Sequence, residues 1–187
     1  MTLTEILRQC KRNDKLAWER FVRDYQGRIY RIAFTYARNP EDAGDLTQEI
    51  FIRIYRKIGQ WREDESAMAW IIAIARNLGI DHVRRGKVRA TDRTVPMEEH
   101  PDIADPRQNP AEACMRDSRR RILRKALDSL SDISREIILL KDMQGLSLDD
   151  IARMLGIPIG TAKSRSNRAR SELVHAVLAL SSPEQLL

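Results

Sequence analysis

Apolar residues recur at three- and four-residue intervals through most of this chain. Leu3, Ile6 and Leu7, followed by Trp18, Phe21, Val22, Tyr25, Ile29, Ile32, Ala33 and Tyr36, mark two amphipathic stretches within residues 3–37, the spacing expected of two helices. Asn39 and Pro40, with Glu41 and Asp42 behind them, end the second and open a third. Proline fits the first helical position, and acids suit the positive end of the helix dipole. In that third segment, PEDAGDLTQEIFIRIYRKIGQW, Leu46, Ile50, Ile54 and Ile58 share a stripe. A fourth, SAMAWIIAIARNLGIDHVRR, sets Trp70, Ile71, Ile74, Leu78 and Val83 inward.

The pattern then fails. From Arg84 to Arg93 the chain is basic, and from Thr94 to Asp117 it turns acidic and carries Pro96, Pro101, Pro106 and Pro110. Such a stretch has little to bury and keeps interrupting its own helices, so it reads as a flexible linker. Helical spacing resumes with Ile122, Leu123, Ala126, Leu127 and Leu130, and continues through SDISREIILLKDMQG, LSLDDIARMLG and IPIGTAKSRSNRARSELVHAVLAL. No stretch reads as a strand. The expected fold is all-α: two small helical domains, residues 1–86 and 119–187, joined by a flexible linker at 87–118.

The last two predicted helices form a recognisable unit. Ser147 is placed to cap the helix carrying Leu148, Ile151, Ala152 and Leu155, with Asp149 and Asp150 in its first turn. Gly156 suits the left-handed residue that ends it, Ile157 the angle, and Pro158 the next helix start. Two helices across so tight a turn make a helix-turn-helix. In the second, Ala162, Ser166, Ala169 and Leu173 stack inward. Gly160, Thr161, Ser164, Asn167, Arg168 and Ser171 face out, with Lys163, Arg165 and Arg170 on the flanks. Short side chains near the helix start and long cations beyond suit a DNA groove; a solvated face on a helical bundle is the plainer alternative.

Composition narrows the picture. Lys and Arg total 33 against 27 Asp and Glu, a formal net charge of +6 that favours an anionic partner. Cys10 and Cys114 have neither CxxC nor disulfide-rich spacing, which points to a reducing compartment. The N-terminus is charged by Glu5 and no apolar run approaches membrane-spanning length, so the expected location is cytoplasmic, with no direct membrane insertion. Asp42, Asp45 and Glu49 could be drawn as a carboxylate row, but such spacing is ordinary at a helix start. With no metal cluster, nucleophile triad or phosphate loop in the sequence, an enzyme is not expected, and no metal or cofactor is assigned.

NPEDAGDLTQEIFIRIYRKIGQW followed by AWIIAIARNLGIDHVRRGK resembles conserved region 2 of the bacterial sigma-70 family, in its short extracytoplasmic-function (ECF) branch. LSDISREIILLKDMQGLSLDDIARMLGIPIGTAKSRSNRARSEL resembles region 4 of the same branch. The resemblance spans roughly residues 15–86 and 119–175. It implies that Asp45, Gln48, Glu49, Ile52, Arg53 and Arg56 dock on the clamp coiled coil of core RNA polymerase, where the residues alone would read as a solvated face with pairs such as Glu49 to Arg53. It implies that the loop with Trp61 and Arg62 holds a base flipped from the −10 element, Trp61 being otherwise a simple core plug, and that Arg76, Asn77, Asp81, Arg84 and Arg85 serve −10 DNA. Asn77 and Asp81 equally suit bracing of the loop. Thr161, Lys163, Ser164, Arg165, Asn167 and Arg168 would read −35 DNA. One departure stands out: members of the family usually carry leucine at the position of Ser166 and histidine at that of Asn167. A serine on the inward stripe implies a poorer core unless neighbours close over it.

The implied function is transcription initiation. Core RNA polymerase, through its clamp coiled coil and flap, and promoter DNA are the expected partners, with an anti-sigma factor as a further one. The competing reading is a stand-alone helix-turn-helix regulator, which would bind duplex DNA without polymerase.

Overall fold

The computed structural model describes the backbone of residues 1–89 and 110–181 and the side chains of residues 1–85 and 118–181. The chain divides into two compact units, Met1–Asp102 and Ile103–Leu187, and all described secondary structure is helical.

In the first unit, α1 (Leu3–Lys11) begins with a reciprocal cap: Thr2 Oγ1 accepts from the Glu5 backbone N–H, and the Glu5 carboxylate accepts from that of Thr2. Asn13, at φ 61°, turns the chain in the left-handed conformation that asparagine tolerates. Asp14 then caps α2 (Lys15–Ala37), accepting from Leu16 N at 2.9 Å and Ala17 N at 3.2 Å. Asn39 caps α3 (Pro40–Lys57) through Asp42 N at 2.8 Å, with Pro40 at the predicted position. A 3-10 turn (Ile58–Gln60) prolongs α3, and α4 (Ala67–Arg89) follows.

The expected stripe of Leu46, Ile50, Ile54 and Ile58 is buried, as are Phe21, Ile29 and Ile32 of α2. On α4, Ile71, Ile74 and Leu78 are buried as expected, whereas Trp70 and Val83 are only partly so. Ile72 and Ala75 join the core as well, because α1, α2 and α3 all pack on α4 and widen its buried arc. Gly79 sits directly beneath the Tyr36 ring of α2.

In the second unit, α5 (Pro110–Ser129) starts inside the stretch read as linker, with Pro110 at its first position; residues 90–109 of that stretch lie outside the described residues. Arg135 of α6 (Asp132–Ile138) donates to the carbonyls of Leu127 at 2.8 Å, Asp128 at 2.7 Å and Leu130 at 3.3 Å, satisfying the end of α5. A π-helical turn (Leu139–Met143) leads to Gly145, at φ 71°. Ser147 caps α7 (Leu148–Leu155) through Asp150 N at 3.0 Å. Gly156, at φ 64°, ends α7, and Ile157 N closes back on the Ala152 carbonyl at 3.0 Å. The last helix, α8 (Ile159–Leu180), starts one residue after Pro158, which is its cap.

Leu130, Ile138 and Ala169 form a buried cluster with Leu127 and Leu173 packed against it. Leu123, one of the helically spaced apolar residues of α5, is 43% exposed. Ser166 is only 3% exposed. Its neighbours close over it, so the smaller residue at this inward position is shielded from solvent.

Candidate nucleic-acid and partner-binding surfaces

On α3, the buried stripe fixes the rotation of the helix and therefore what faces away. Asp45, Gln48, Ile52 and Arg56 are exposed, Ile52 by 50%, and Glu49 and Arg53 are half-buried beside them. All six predicted docking residues thus share one helical face. Glu49 lies 3.9 Å from Arg53 on its own helix and 3.6 Å from Arg85 on α4, so this carboxylate links the two predicted sites of the first unit. Asp42 is engaged elsewhere: it accepts from Asn39 Nδ2 at 2.7 Å and faces His82 Nε2 at 3.7 Å. Sequence reasoning missed Tyr55, 58% exposed one turn beyond Ile52, its ring tilted at 57° against that of Trp18 with centroids 5.0 Å apart. It also missed Leu16, 75% exposed at the start of α2. An aromatic three positions from an off-stripe isoleucine was the available signal.

On α4, Asn77, Asp81, Arg84 and Arg85 are exposed and fall within an arc of about 100° at 3.6 residues per turn. Arg85 Nε donates to the Asp81 carbonyl at 3.3 Å. Arg76 lies on the adjoining half-buried face, its guanidinium 3.4 Å from Asn77 Oδ1. Four of the five predicted residues of this helix are therefore brought together, and Arg76 borders them.

The loop at 61–66 requires a correction. Trp61 is 0% exposed, so its ring offers no face to a base and acts as the core plug, which is the alternative the sequence left open. Truncating so large a buried ring costs about 3–5 kcal/mol. Its indole Nε1 meets no acceptor among the described residues, a polar cost carried inside the core. Arg62, by contrast, is exposed and grips both Asp64 oxygens, at 3.1 and 2.9 Å. The Arg62 hydrogen bond holds the Asp64 carboxyl below its ordinary pKa and raises that of the guanidinium.

On α8, Lys163, Ser164, Asn167 and Arg168 are exposed, and Thr161 and Arg165 half-buried, above the buried row Ala162, Ser166 and Ala169. No acid and no side-chain cap occupy the first turn, which leaves its backbone N–H groups without a side-chain acceptor at the cap. The cations differ in their partners. Arg168 pairs with Glu172 at 3.0 Å, and Arg170 grips Asp142 of the π-helical turn. Glu172 is in turn held below its ordinary pKa by a hydrogen bond from Ser134 and by Arg168. Lys163 and Arg165 make no ion pair among the described residues. Ile159, 53% exposed at the helix start, was missed by sequence reasoning. It places an exposed apolar side chain at the start of α8.

Two helical units, the first with an exposed, mostly polar face on α3 and a basic end on α4 and the second with a helix-turn-helix, have the architecture of a modular DNA-binding protein. The family matches make that specific: residues 21–89 match Sigma-70 region 2, and residues 120–173 match Sigma-70, region 4. The chain is 38% identical over 162 residues to the ECF RNA polymerase sigma factor SigE of Mycolicibacterium smegmatis, covering 84% of this chain but 60% of that protein. To the RNA polymerase sigma-H factor of Pseudomonas aeruginosa it is 30% identical over 182 residues, covering 94% of both. The fold is similar to that of the sigma factor RpoE from Bartonella quintana, solved with the anti-sigma factor NepR, with a TM-score of 0.65 at 24% identity over 85% of this chain and 95% of that one. The chain belongs to the sigma-70 family of RNA polymerase sigma factors, in its ECF branch.

Proposed function

We propose that this chain is a transcription initiation factor that binds bacterial core RNA polymerase and directs it to promoters. The observation that carries the reading is the occurrence of regions 2 and 4, in order, on two separate compact units. Asp45, Gln48, Glu49, Ile52, Arg53 and Arg56 dock on the clamp coiled coil, Ile52 supplying apolar contact within a rim that is otherwise polar. Arg62 belongs to the loop that captures an unstacked −10 base. Asn77, Asp81, Arg84 and Arg85 lie along the adjoining strand, with Arg76 at their edge and the arginines on phosphates. Thr161, Lys163, Ser164, Arg165, Asn167 and Arg168 read the −35 duplex in the major groove, and the second unit also meets the polymerase flap.

The factor supplies promoter choice and strand capture, while bond formation belongs to the polymerase. Strand opening is driven by exchanging base stacking for contacts in the loop and along α4. An anti-sigma protein is the proposed regulator, and the compartment is that of the polymerase, the cytoplasm. No described helix is long and apolar enough to cross a membrane.

The decisive test mixes the purified chain with sigma-free core polymerase, follows co-elution, and transcribes from a pooled promoter library. Complex formation with new start sites supports the reading and returns both promoter elements. Tight duplex binding by the chain alone, without a polymerase complex, would replace it with the stand-alone regulator.

A further inference from the structure

The segment between α3 and α4 is tied down from the other end of the first unit. Lys11 Nζ, on the last residue of α1, donates to the Trp61 carbonyl oxygen at 2.9 Å across 50 positions of sequence. Arg8, one turn earlier on the same face of α1, pairs through Nε with Glu63 Oε2 at 2.9 Å. Both ties are rooted in the core: α1 buries Ile6, Leu7 and Cys10, and Trp61 is the plug beneath the loop. At the far end Ser66 caps α4, its hydroxyl accepting from Ala69 N at 3.3 Å and its carbonyl from Trp70 N at 3.0 Å. Between these anchors the tip is shaped by the Arg62–Asp64 pair and by Glu65 N donating to the Arg62 carbonyl at 3.1 Å.

A polar loop of this length has no apolar content at its tip to hold one shape. Its conformation is set by its anchors, and two of them come from one face of α1. A pocket that discriminates between flipped bases must hold its groups to within about 0.5 Å.

We propose that α1 is the positioning element for the −10 capture loop, with Lys11 and Arg8 setting the loop geometry that selects the captured base. The proposal rests on the reading of residues 61–66 as the base-capturing loop. Lys11 and Arg8 are positioning residues: they act through the Trp61 carbonyl and Glu63.

The test uses full-length chain with core polymerase and a promoter pool randomised across the −10 element. Lys11→Met, Lys11→Arg, Arg8→Gln and, at the tip, Arg62→Ala and Asp64→Ala are compared with the parent chain for base preference, core affinity and −35 duplex dependence. Lys11→Met is expected to flatten the preference at one −10 position by about tenfold, the loss of one charge-assisted hydrogen bond. Core affinity and −35 dependence should be unchanged, with Lys11→Arg restoring the preference and Arg8→Gln giving a smaller loss at the same position. A purely structural role would lower core affinity and all promoters together without changing the preference, and that result overturns the proposal. If the tip variants change the preference while Lys11→Met and Arg8→Gln do not, the loop reading stands and the role of α1 falls. If no variant changes it, the loop reading falls and takes the proposal with it.

Discussion

Gly79 of α4 packs directly against the Tyr36 ring of α2, and Gly79→Ala tests this contact. A methyl group built on Gly79 would lie 2.4 Å from Tyr36 Cγ, 2.5 Å from Cδ2 and 2.8 Å from Cδ1. Rotation of the ring about χ2 leaves Cγ where it is, so relief requires the whole packed ring to swing about χ1 or the two helices to separate. In an unhindered helix the substitution would stabilise by about 1 kcal/mol through propensity. Overpacking against a fixed ring costs about 1–3 kcal/mol and more where backbone must move. The net expectation is a loss of about 1–2 kcal/mol. Gly44 on α3 has nothing within 4 Å of an added methyl, so Gly44→Ala should have the opposite sign, a gain of about 0.5–1 kcal/mol. All three tryptophans, Trp18, Trp61 and Trp70, lie in the first unit, so intrinsic fluorescence in a urea titration of the full chain reports this unit alone. The midpoint should fall for Gly79→Ala and rise for Gly44→Ala. Equal or rising midpoints for both would refute the close approach of α2 and α4.

In the second unit, Ser166→Leu should destabilise by about 1–3 kcal/mol despite adding apolar surface, because the site is already closed; hydrogen exchange along α8 measures it, and greater protection would show an unfilled gap. The Glu172 carboxyl lies below its ordinary value of 4.5, chiefly through Ser134. Its folded-state pKa is depressed, so its contribution to stability is full above that unfolded value and is lost as pH falls through the lowered folded one. An NMR titration should show this, with Ser134→Ala moving the Glu172 midpoint back up; an unchanged midpoint would exclude the hydrogen bond. Burial pushes the Cys10 thiol up to about 11. Cys10 should therefore resist thiol reagents near neutral pH until the first unit unfolds, and rapid labelling in the native chain, read by peptide mass, would contradict its burial.

The helices and their buried stripes were legible because a 3.6-residue period is a local signal, and the helix-turn-helix because Ser147, Gly156 and Pro158 each carry their conformational role in their own chemistry. Trp61 was not settled, since Gly59, Gln60 and Arg62 around it have no period from which burial could be read. The π-helical turn was hidden too, because Leu139–Met143 has the composition of ordinary helix. Least legible were the long-range pairs. With 33 Lys and Arg facing 27 Asp and Glu, nothing local assigns Arg8 to Glu63, 55 positions away, or Arg170 to Asp142, 28 away. Roles on α3 and α4 came from family resemblance, because an exposed polar helix face looks the same whether it meets solvent or a partner.

On the proposed −35 reading, α8 has to meet two opposed demands. Its buried row of Ala162, Ser166 and Ala169 is small, which lets the helix sit close to its own core while its opposite face stays free of bulk. On that −35 reading the Arg168 guanidinium on this opposite face, with Arg170 on its flank, must be extended and ready, yet a nearby carboxylate would repel phosphate. The acids that brace Arg168 and Arg170 come from Glu172, four residues further along α8, and from Asp142 on the π-helical turn; neither belongs to the first turn. The end of α8 that carries Thr161, Lys163 and Ser164 is thereby left without negative charge. In both pairs the arginine is exposed and the carboxylate partly so, at 34% for Glu172 and 33% for Asp142, and ion pairs so open to solvent contribute little to stability. On the proposed reading, an arginine that exchanges its carboxylate for a phosphate would give up little of the fold and gain the release of counterions from the duplex. The braces hold the arginines in extended positions without committing them.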